Sequence, residues 1–469
     1  MKRRTFKPLL LATVAGLGLL AGSLSASAET LADALVSAYK VSHLLDQNRA
    51  TLRAADEDVA TAVAALRPVV SWVAQFQKDR CNYDEPTADR AGCGYEWSKL
   101  STTLLLDISW TIYDFGRSGL AVDIQKETVL ATRAALLSTE QDVLLSAVKA
   151  YADAKATAEQ VAITENSVRV ISEQLKAAQD RFDVGEVTKT DVSQAEASLA
   201  GARASLAAAQ GEYKAAREAY KAVIGHYPER LAALPRAPKL PKSPDEATST
   251  ALRLHPVIKQ SQHMVTAADL GVQLAKAGHM PTVTGVAELT DPEPRYAGRS
   301  ASMTLKFNQT LYSGGAIAST NRKAVANRDK ARAGLSQAGV EVAQAVANAF
   351  AGIDVYRAQI NAYDQQIQAA DLAYQGVREE ATLGARTTLD VLNAEQDLLD
   401  AKASRITAEA SLQVAYYQLL SAMGLLTVEN LKLGIPTYDP AAYYNAVQNA
   451  PLSDQGKALD RVLRAIGKN

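Results

Sequence analysis

The two halves of this chain repeat each other at a fixed distance. Val184-Gly185 with Asp191-Val192 returns 199 positions later as Leu383-Gly384 with Asp390-Val391. The same offset carries Leu106 to Leu305, Tyr113 to Tyr312, Gly116 to Gly315, Tyr151 to Phe350, Leu199 to Leu398 and Gly225 to Gly424. An offset held from Leu106 through Gly225 marks a duplication without insertions, so both halves must fold alike. Upstream, Pro68 and Pro281 lie 213 apart, which leaves 14 extra residues in the first copy, in the stretch bearing Cys81 and Cys93.

Each copy has one layout: a helix (31–66 and 244–277), two short alternating segments, then a very long helical region. No proline falls between Pro86 and Pro228 or between Pro294 and Pro436. Residues 118–182 and 317–381 are rich in Ala, Gln, Glu, Lys and Leu, all good helix formers. At 1.5 Å per residue, each such helix runs about 100 Å. Gly185 and Gly384 read as turn glycines, where a left-handed conformation ends a helix. Return helices, 190–224 and 388–423, stop at Gly225 and Gly424. Pro235, Pro238, Pro241 and Pro244 make 235–244 an extended linker.

The alternating segments read as amphipathic strands. Val70, Trp72, Ala74 and Phe76 share one face. Leu104, Leu106, Ile108 and Trp110 share another, opposite Thr103, Asp107 and Ser109. In the second copy Val283, Ala287 and Leu289 oppose Thr282, Thr284 and Glu288, and Met303, Leu305 and Phe307 oppose Thr304, Lys306 and Asn308. This period of two fits a half-buried soluble sheet or a transmembrane β-barrel. Four strands cannot close a barrel in lipid, where open sheet edges are not tolerated. A membrane reading therefore requires strands pooled from several chains with cyclic symmetry. All three tryptophans, Trp72, Trp97 and Trp110, lie in or near the strands with Tyr95, as interfacial aromatic girdles do.

The N-terminus reads as an export signal. Lys2, Arg3, Arg4 and Lys7 precede an apolar run over 9–20, and Ala26-Ser27-Ala28 offers a cleavage site before Glu29. The alternative, an uncleaved anchor, is disfavoured because the run is shorter than the roughly 20 residues a span needs. No cysteine follows the cleavage site to carry a lipid. In an oxidising compartment Cys81 and Cys93 are expected to bond and staple their loop; two free thiols are the alternative. With 50 basic and 51 acidic residues there is no cationic excess for nucleic acid. Five scattered histidines and the absence of phosphate-loop, zinc or nucleophile motifs give no sign of an enzyme or a cofactor.

In this order and twice over, several motifs carry a resemblance. Leu66-Arg67-Pro68 and Met280-Pro281 lead into the strands. Trp110-Thr111-Ile112-Tyr113-Asp114-Phe115-Gly116 and Gln309-Thr310-Leu311-Tyr312-Ser313-Gly314-Gly315 leave them. Arg181-Phe182-Asp183-Val184-Gly185 with Thr190-Asp191-Val192 is followed by Leu383-Gly384-Ala385-Arg386-Thr387 with Leu389-Asp390-Val391-Leu392. The chain resembles the TolC family of outer-membrane channels over nearly all its mature length. The resemblance implies a mainly α fold with a membrane β-barrel portion. A homotrimer would contribute four strands per chain to a 12-stranded barrel, continued by a long α-helical barrel in the periplasm of a Gram-negative bacterium. It implies the exit duct of type I secretion or drug efflux. Its partners would be outer-membrane lipid, a periplasmic adaptor (membrane fusion) protein and an inner-membrane ABC or other transporter. The missing lipid-attachment cysteine sides with the secretion-type members. A periplasmic coiled-coil adaptor or scaffold is the alternative.

The resulting division is a signal at 1–28, a first repeat at 29–234 with its β-hairpin at 68–112, the linker 235–244, a second repeat at 245–433 with its hairpin at 281–311, and a C-terminal segment at 434–469. That last segment, with Tyr438, Tyr443, Tyr444 and the amphipathic Leu459, Val462, Leu463 and Ile466, either wraps the helical barrel or is mobile. The resemblance also places a pore constriction at Asp390, with Asn393 where the family commonly has a second acid. It places a charge latch at Asp191 and Arg386, although Ala381 replaces the family's latch aromatic. Asp191 alternatively only caps the helix after the Gly185 turn.

Overall fold

The computed structural model describes residues 28–80, 98–293 and 298–450. The leader, Cys81, Cys93, Tyr95, Trp97 and the 459–466 stretch lie outside them. The first copy comprises α1 (Leu31–Val41), α2 (His43–Ala64), β1 (Val69–Arg80), β2 (Ser98–Tyr113), α3 (Arg117–Asp183) and α4 (Lys189–Ile224). The second comprises α5 (Pro244–Leu254), α6 (Pro256–Ala277), β3 (Thr282–Glu293), β4 (Ser300–Asn308), α7 (Ala316–Thr382) and α8 (Thr388–Ala422), followed by α9 (Pro440–Val447).

The long helices α3 and α7 have 67 residues each, so each is about 100 Å long. Both start after a pair of left-handed residues, Phe115-Gly116 in the first copy and Gly314-Gly315 in the second. Both turn back at a left-handed glycine, Gly185 with φ +81° and Gly384 with φ +78°. The hairpins α3–α4 and α7–α8 meet through α3 and α8, and α6 packs between α3 and α7.

The sequence predicts one helix over 31–66 and one over 244–277. The structure breaks each in two, at Ser42 and His255, which lie 213 positions apart like Pro68 and Pro281. Ser42 is extended and its hydroxyl accepts the Leu45 N–H at 3.3 Å. His255 precedes Pro256, whose ring disfavours helical backbone at the residue before it. Each break also seats the glycine ending a return helix. A Cβ on Gly225 would stand 2.9 Å from Val41 Cγ1, and one on Gly424 would stand 2.7 Å from the His255 Cα. Only glycine lets these chain segments approach so closely.

The main core lies where α1, α3, α4, α5, α7 and α8 converge, around Leu35, Leu144, Tyr151, Tyr220, Ile224, Leu419 and Leu426. Small residues make much of it: Ala147, Ala154, Ala338, Ala349 and Ala415 are all buried, which brings long helices close side by side. Tyr151 donates to both the Glu29 and Ala232 carbonyls at 3.0 Å, stitching the start of α1 to the inter-repeat segment. A smaller cluster of Ile171, Ala195, Leu199 and Leu392 joins the two hairpins behind their tips. The four strands form one antiparallel sheet in the order β1-β2-β3-β4.

Candidate channel wall and gate

The register sorts the sheet into two faces. Val70 pairs with Ile108, Trp72 with Leu106 and Ala74 with Leu104; Leu106 continues to Leu289 and Ile108 to Ala287; Ala287 meets Met303 and Val283 meets Phe307. These residues share one face across all four strands. It is open to the surroundings, with Trp72 67%, Phe76 71%, Met303 90% and Phe307 67% exposed. A contiguous apolar face of this extent marks a surface made for lipid or protein. The opposite face carries Ser71, Gln75, Thr103, Asp107, Ser109, Thr284, Glu288, Thr304 and Lys306. Asp107 stands directly across from Glu288, a like-charge pairing that weakens a sheet. Among the described residues, the outer edges of β1 and β4 have no strand beside them.

At the far end of the hairpins, the two tip turns are built alike. Thr188 caps α4: its N–H and hydroxyl both donate to Asp191 Oδ2, at 2.9 and 2.7 Å, and the Asp191 N–H donates back to the hydroxyl at 3.3 Å. Thr387 caps α8 in the same way, donating to Asp390 Oδ2 at 3.0 and 2.9 Å and accepting the Asp390 N–H at 3.2 Å. These are reciprocal capping boxes with aspartate at the third helical position. They hold both carboxyls below the ordinary aspartate range. For Asp191 the Thr188 hydroxyl is the main cause, and for Asp390 the Thr387 N–H.

The ion pairs around the turns have opposite polarity. In the first, Arg181 near the end of α3 donates to Glu186 in the turn at 3.1 Å. In the second, Glu380 near the end of α7 accepts from Arg386 in the turn at 2.8 Å. Arg181 and Glu380 occupy equivalent positions, 199 apart. Exposed apolar residues, Val184 and Leu383, cap the turns.

Deeper in the tip, Glu395 on α8 is only 5% exposed, and its Oε2 has no hydrogen-bond partner. Burial raises its carboxyl to about 7, against the pull of Arg378 and Lys402. Glu395 falls in the helical stripe Val391, Leu392, Glu395, Leu398, where its charge breaks an apolar run. That interruption is the signal the sequence offers for it.

The profile of the outer membrane efflux protein family matches residues 34–226 and 247–425, once on each repeat. The outer membrane efflux protein BepC of Brucella suis biovar 1 (strain 1330) is 34% identical over 430 residues, spanning 91% of this chain and 92% of that protein. The chain belongs to the outer membrane efflux protein family. The outer membrane protein TolC of Escherichia coli (strain K12) is 25% identical over 442 residues, covering 90% and 87% of the two chains. The fold matches the crystal structure of the Campylobacter jejuni CmeC outer membrane channel with a TM-score of 0.76 at 16% identity, over 90% of each chain. The family's members are transport channels.

Of the residues that the family motifs single out, Asp390 and Asn393 fall three residues apart on the first turns of α8, and Asn393 is exposed. Asp191 and Arg386 lie on different turns, and within one chain Arg386 pairs with Glu380 while Asp191 serves its own cap. Arg386 also lies close enough to Asp390 to favour its ionised form. No helix of the described residues is long and apolar enough to cross a membrane.

Proposed function

We propose that three copies of this chain form a passive exit duct in the outer membrane of a Gram-negative bacterium. One observation carries the reading: a four-stranded sheet, apolar on one face and polar on the other, with no strand beside either outer edge among the described residues. Three such sheets placed edge to edge make a closed barrel of 12 strands, within the range of membrane barrels. The apolar face then meets lipid and the polar face, with Asp107 and Glu288, lines water. The long hairpins extend into the periplasm as a helical tube. A periplasmic adaptor and an inner-membrane transporter complete the path for efflux or type I secretion, in keeping with the efflux proteins this chain is similar to.

The tube closes at the hairpin tips. Threefold symmetry turns Asp390 into one ring of carboxylates and Asn393 into a neutral ring beside it, so cations are attracted by one ring of charge rather than two. Asp191 and Arg386 form the charge latch of the resting state, alongside the Arg386–Glu380 ion pair, and Asp191 also fixes the start of α4. Cleavage after Ala28 releases the mature chain, and Cys81 bonds to Cys93 on the loop between β1 and β2.

Outer-membrane fractions run unheated on a denaturing gel test the assembly. A heat-modifiable band of three chains, with ion conductance in planar bilayers, is the expected result. A soluble periplasmic monomer overturns the duct and returns the adaptor or scaffold reading.

A further inference from the structure

Beneath the C-terminal segment lies a polar node that the export path does not use. Residues 435–450, including α9, run as a strap along α2 and α3. Tyr443 and Val447 pack on Ala60, and Tyr438 and Tyr444 pack against Leu52, Val59 and Val129. The strap is tied at its end by Arg67, which precedes β1 and donates to the Asn449 and Ala450 carbonyls. The Tyr443 hydroxyl ties its middle, donating to Glu57 Oε1 at 2.6 Å.

Under this strap Asp56 is fully buried, and neither of its carboxylate oxygens has a hydrogen-bond partner. Two further buried groups at the node also lack one: the Tyr438 hydroxyl on the strap, and Nε and Nη2 of Arg133 on α3. Three elements therefore meet at polar atoms whose hydrogen-bonding capacity is unfilled. A core that only needed packing would place an apolar side chain at residue 56, because an unpaired buried carboxylate is strongly destabilising.

We propose that Asp56 is a proton-operated clasp for the C-terminal strap, which grips α2 and α3 when this carboxyl is protonated and loosens when it ionises. The groups facing it are few. Glu57 on its own helix disfavours its charge, and Arg133 on α3 favours it. On the strap, the Tyr438 hydroxyl feels Asp56 together with Arg53, Arg49 and Asp439. The guanidinium of Arg133 is also held at 5.0 Å over the Tyr444 ring, so it is shared between the carboxyl and the strap. Burial outweighs Arg133 and raises the Asp56 carboxyl from 3.8 to about 6. Below 3.8 the carboxyl is protonated whether the strap is docked or free. Between 3.8 and about 6 the docked strap holds the extra proton, and docking weakens progressively as pH rises through that window. Across the whole window the docking equilibrium changes by at most about 100-fold, the limit reached when undocking returns the Asp56 carboxyl fully to water.

Hydrogen exchange by mass spectrometry on the detergent-solubilised full-length protein reads this directly. From pH 5 to 7.5, corrected for intrinsic exchange, amides of 438–448 should lose protection by up to about tenfold, the part of the window that lies above pH 5, while α4 peptides stay level. Asp56→Asn, neutral throughout, should abolish the loss and keep the strap at its acid-state protection. Arg133→Leu removes the facing cation and should move the wild-type transition to higher pH. A strap whose protection is independent of pH in the wild type overturns the clasp. So does a transition that survives Asp56→Asn, or one that Arg133→Leu does not move.

Discussion

Replacing Glu395 by glutamine tests how the tip is held shut. The carboxyl lies buried behind the Leu392 cluster, and Tyr374 of α7 feels its charge along with those of Arg378, Asp371 and Glu173. Its rise from 4.5 to about 7 means that the packed tip binds a proton more tightly than an open, solvated one. At pH 5 the carboxyl is largely protonated and the packed tip carries little penalty. As pH climbs through 7 the buried charge works against the packed state. At about 1.36 kcal/mol per pH unit, the interval from 4.5 to about 7 sets the full penalty at about 3 kcal/mol per chain above pH 8. Glutamine keeps the shape and removes the titration. The wild-type protein should therefore dwell longer in the closed state at pH 5 than at pH 8 in planar bilayers, and Glu395→Gln should show the acid behaviour at both. Protection of the 391–402 amides should follow the same pattern. A Glu395→Gln channel that keeps the wild-type pH dependence would place the titrating group elsewhere and refute the reasoning.

Five other substitutions separate the roles assigned above. Asp390→Ala should lower cation selectivity, read as a shift of reversal potential in a salt gradient; Thr387→Ala, which loses the cap but keeps the charge, should leave selectivity in place, and an unmoved potential in Asp390→Ala removes that carboxylate from the constriction. Arg386→Ala should raise open probability, and if it does so no more than Glu380→Ala, the latch is the in-turn pair alone and Asp191 is only a cap. Glu288→Gln relieves the like-charge pairing with Asp107 and should stabilise the sheet by about 0.5 kcal/mol, seen as a higher temperature for loss of the unheated gel band; no gain would mean that the two carboxylates do not feel each other across the strands.

The duplication makes much of the architecture legible from the residues. The starts of α3 and α7, the tip glycines and the caps at Thr188 and Thr387 keep their 199-residue spacing in three dimensions, because each is set by local backbone chemistry. Strand faces are equally readable, since side-chain direction in a strand follows a period of two and the register only aligns faces already defined. The breaks at Ser42 and His255 escape a reading of composition. Pro256 marks the second break in the sequence, nothing comparable marks the first, and what decides both includes the approach of Gly225 and Gly424 from elements far along the chain.

The site divides in the same way. Asp390 and Asn393 can be placed on one helical face by spacing alone, and Asp191 can be assigned a capping option from its neighbours. The partners of the charges cannot. Arg386 reaches back to Glu380, and the first turn reverses the polarity through Arg181 and Glu186, because side-chain pairing depends on how the turn folds the chain onto itself. The burial of Asp56 is likewise invisible in one dimension, and that of Glu395 shows only as a charge interrupting an apolar stripe. Sequence determines local geometry, where neighbours along the chain supply the forces. The electrostatic character of a carboxyl depends on how much water surrounds it and which charges face it, and only the packing of α2, α3, α7, α8 and the strap fixes those.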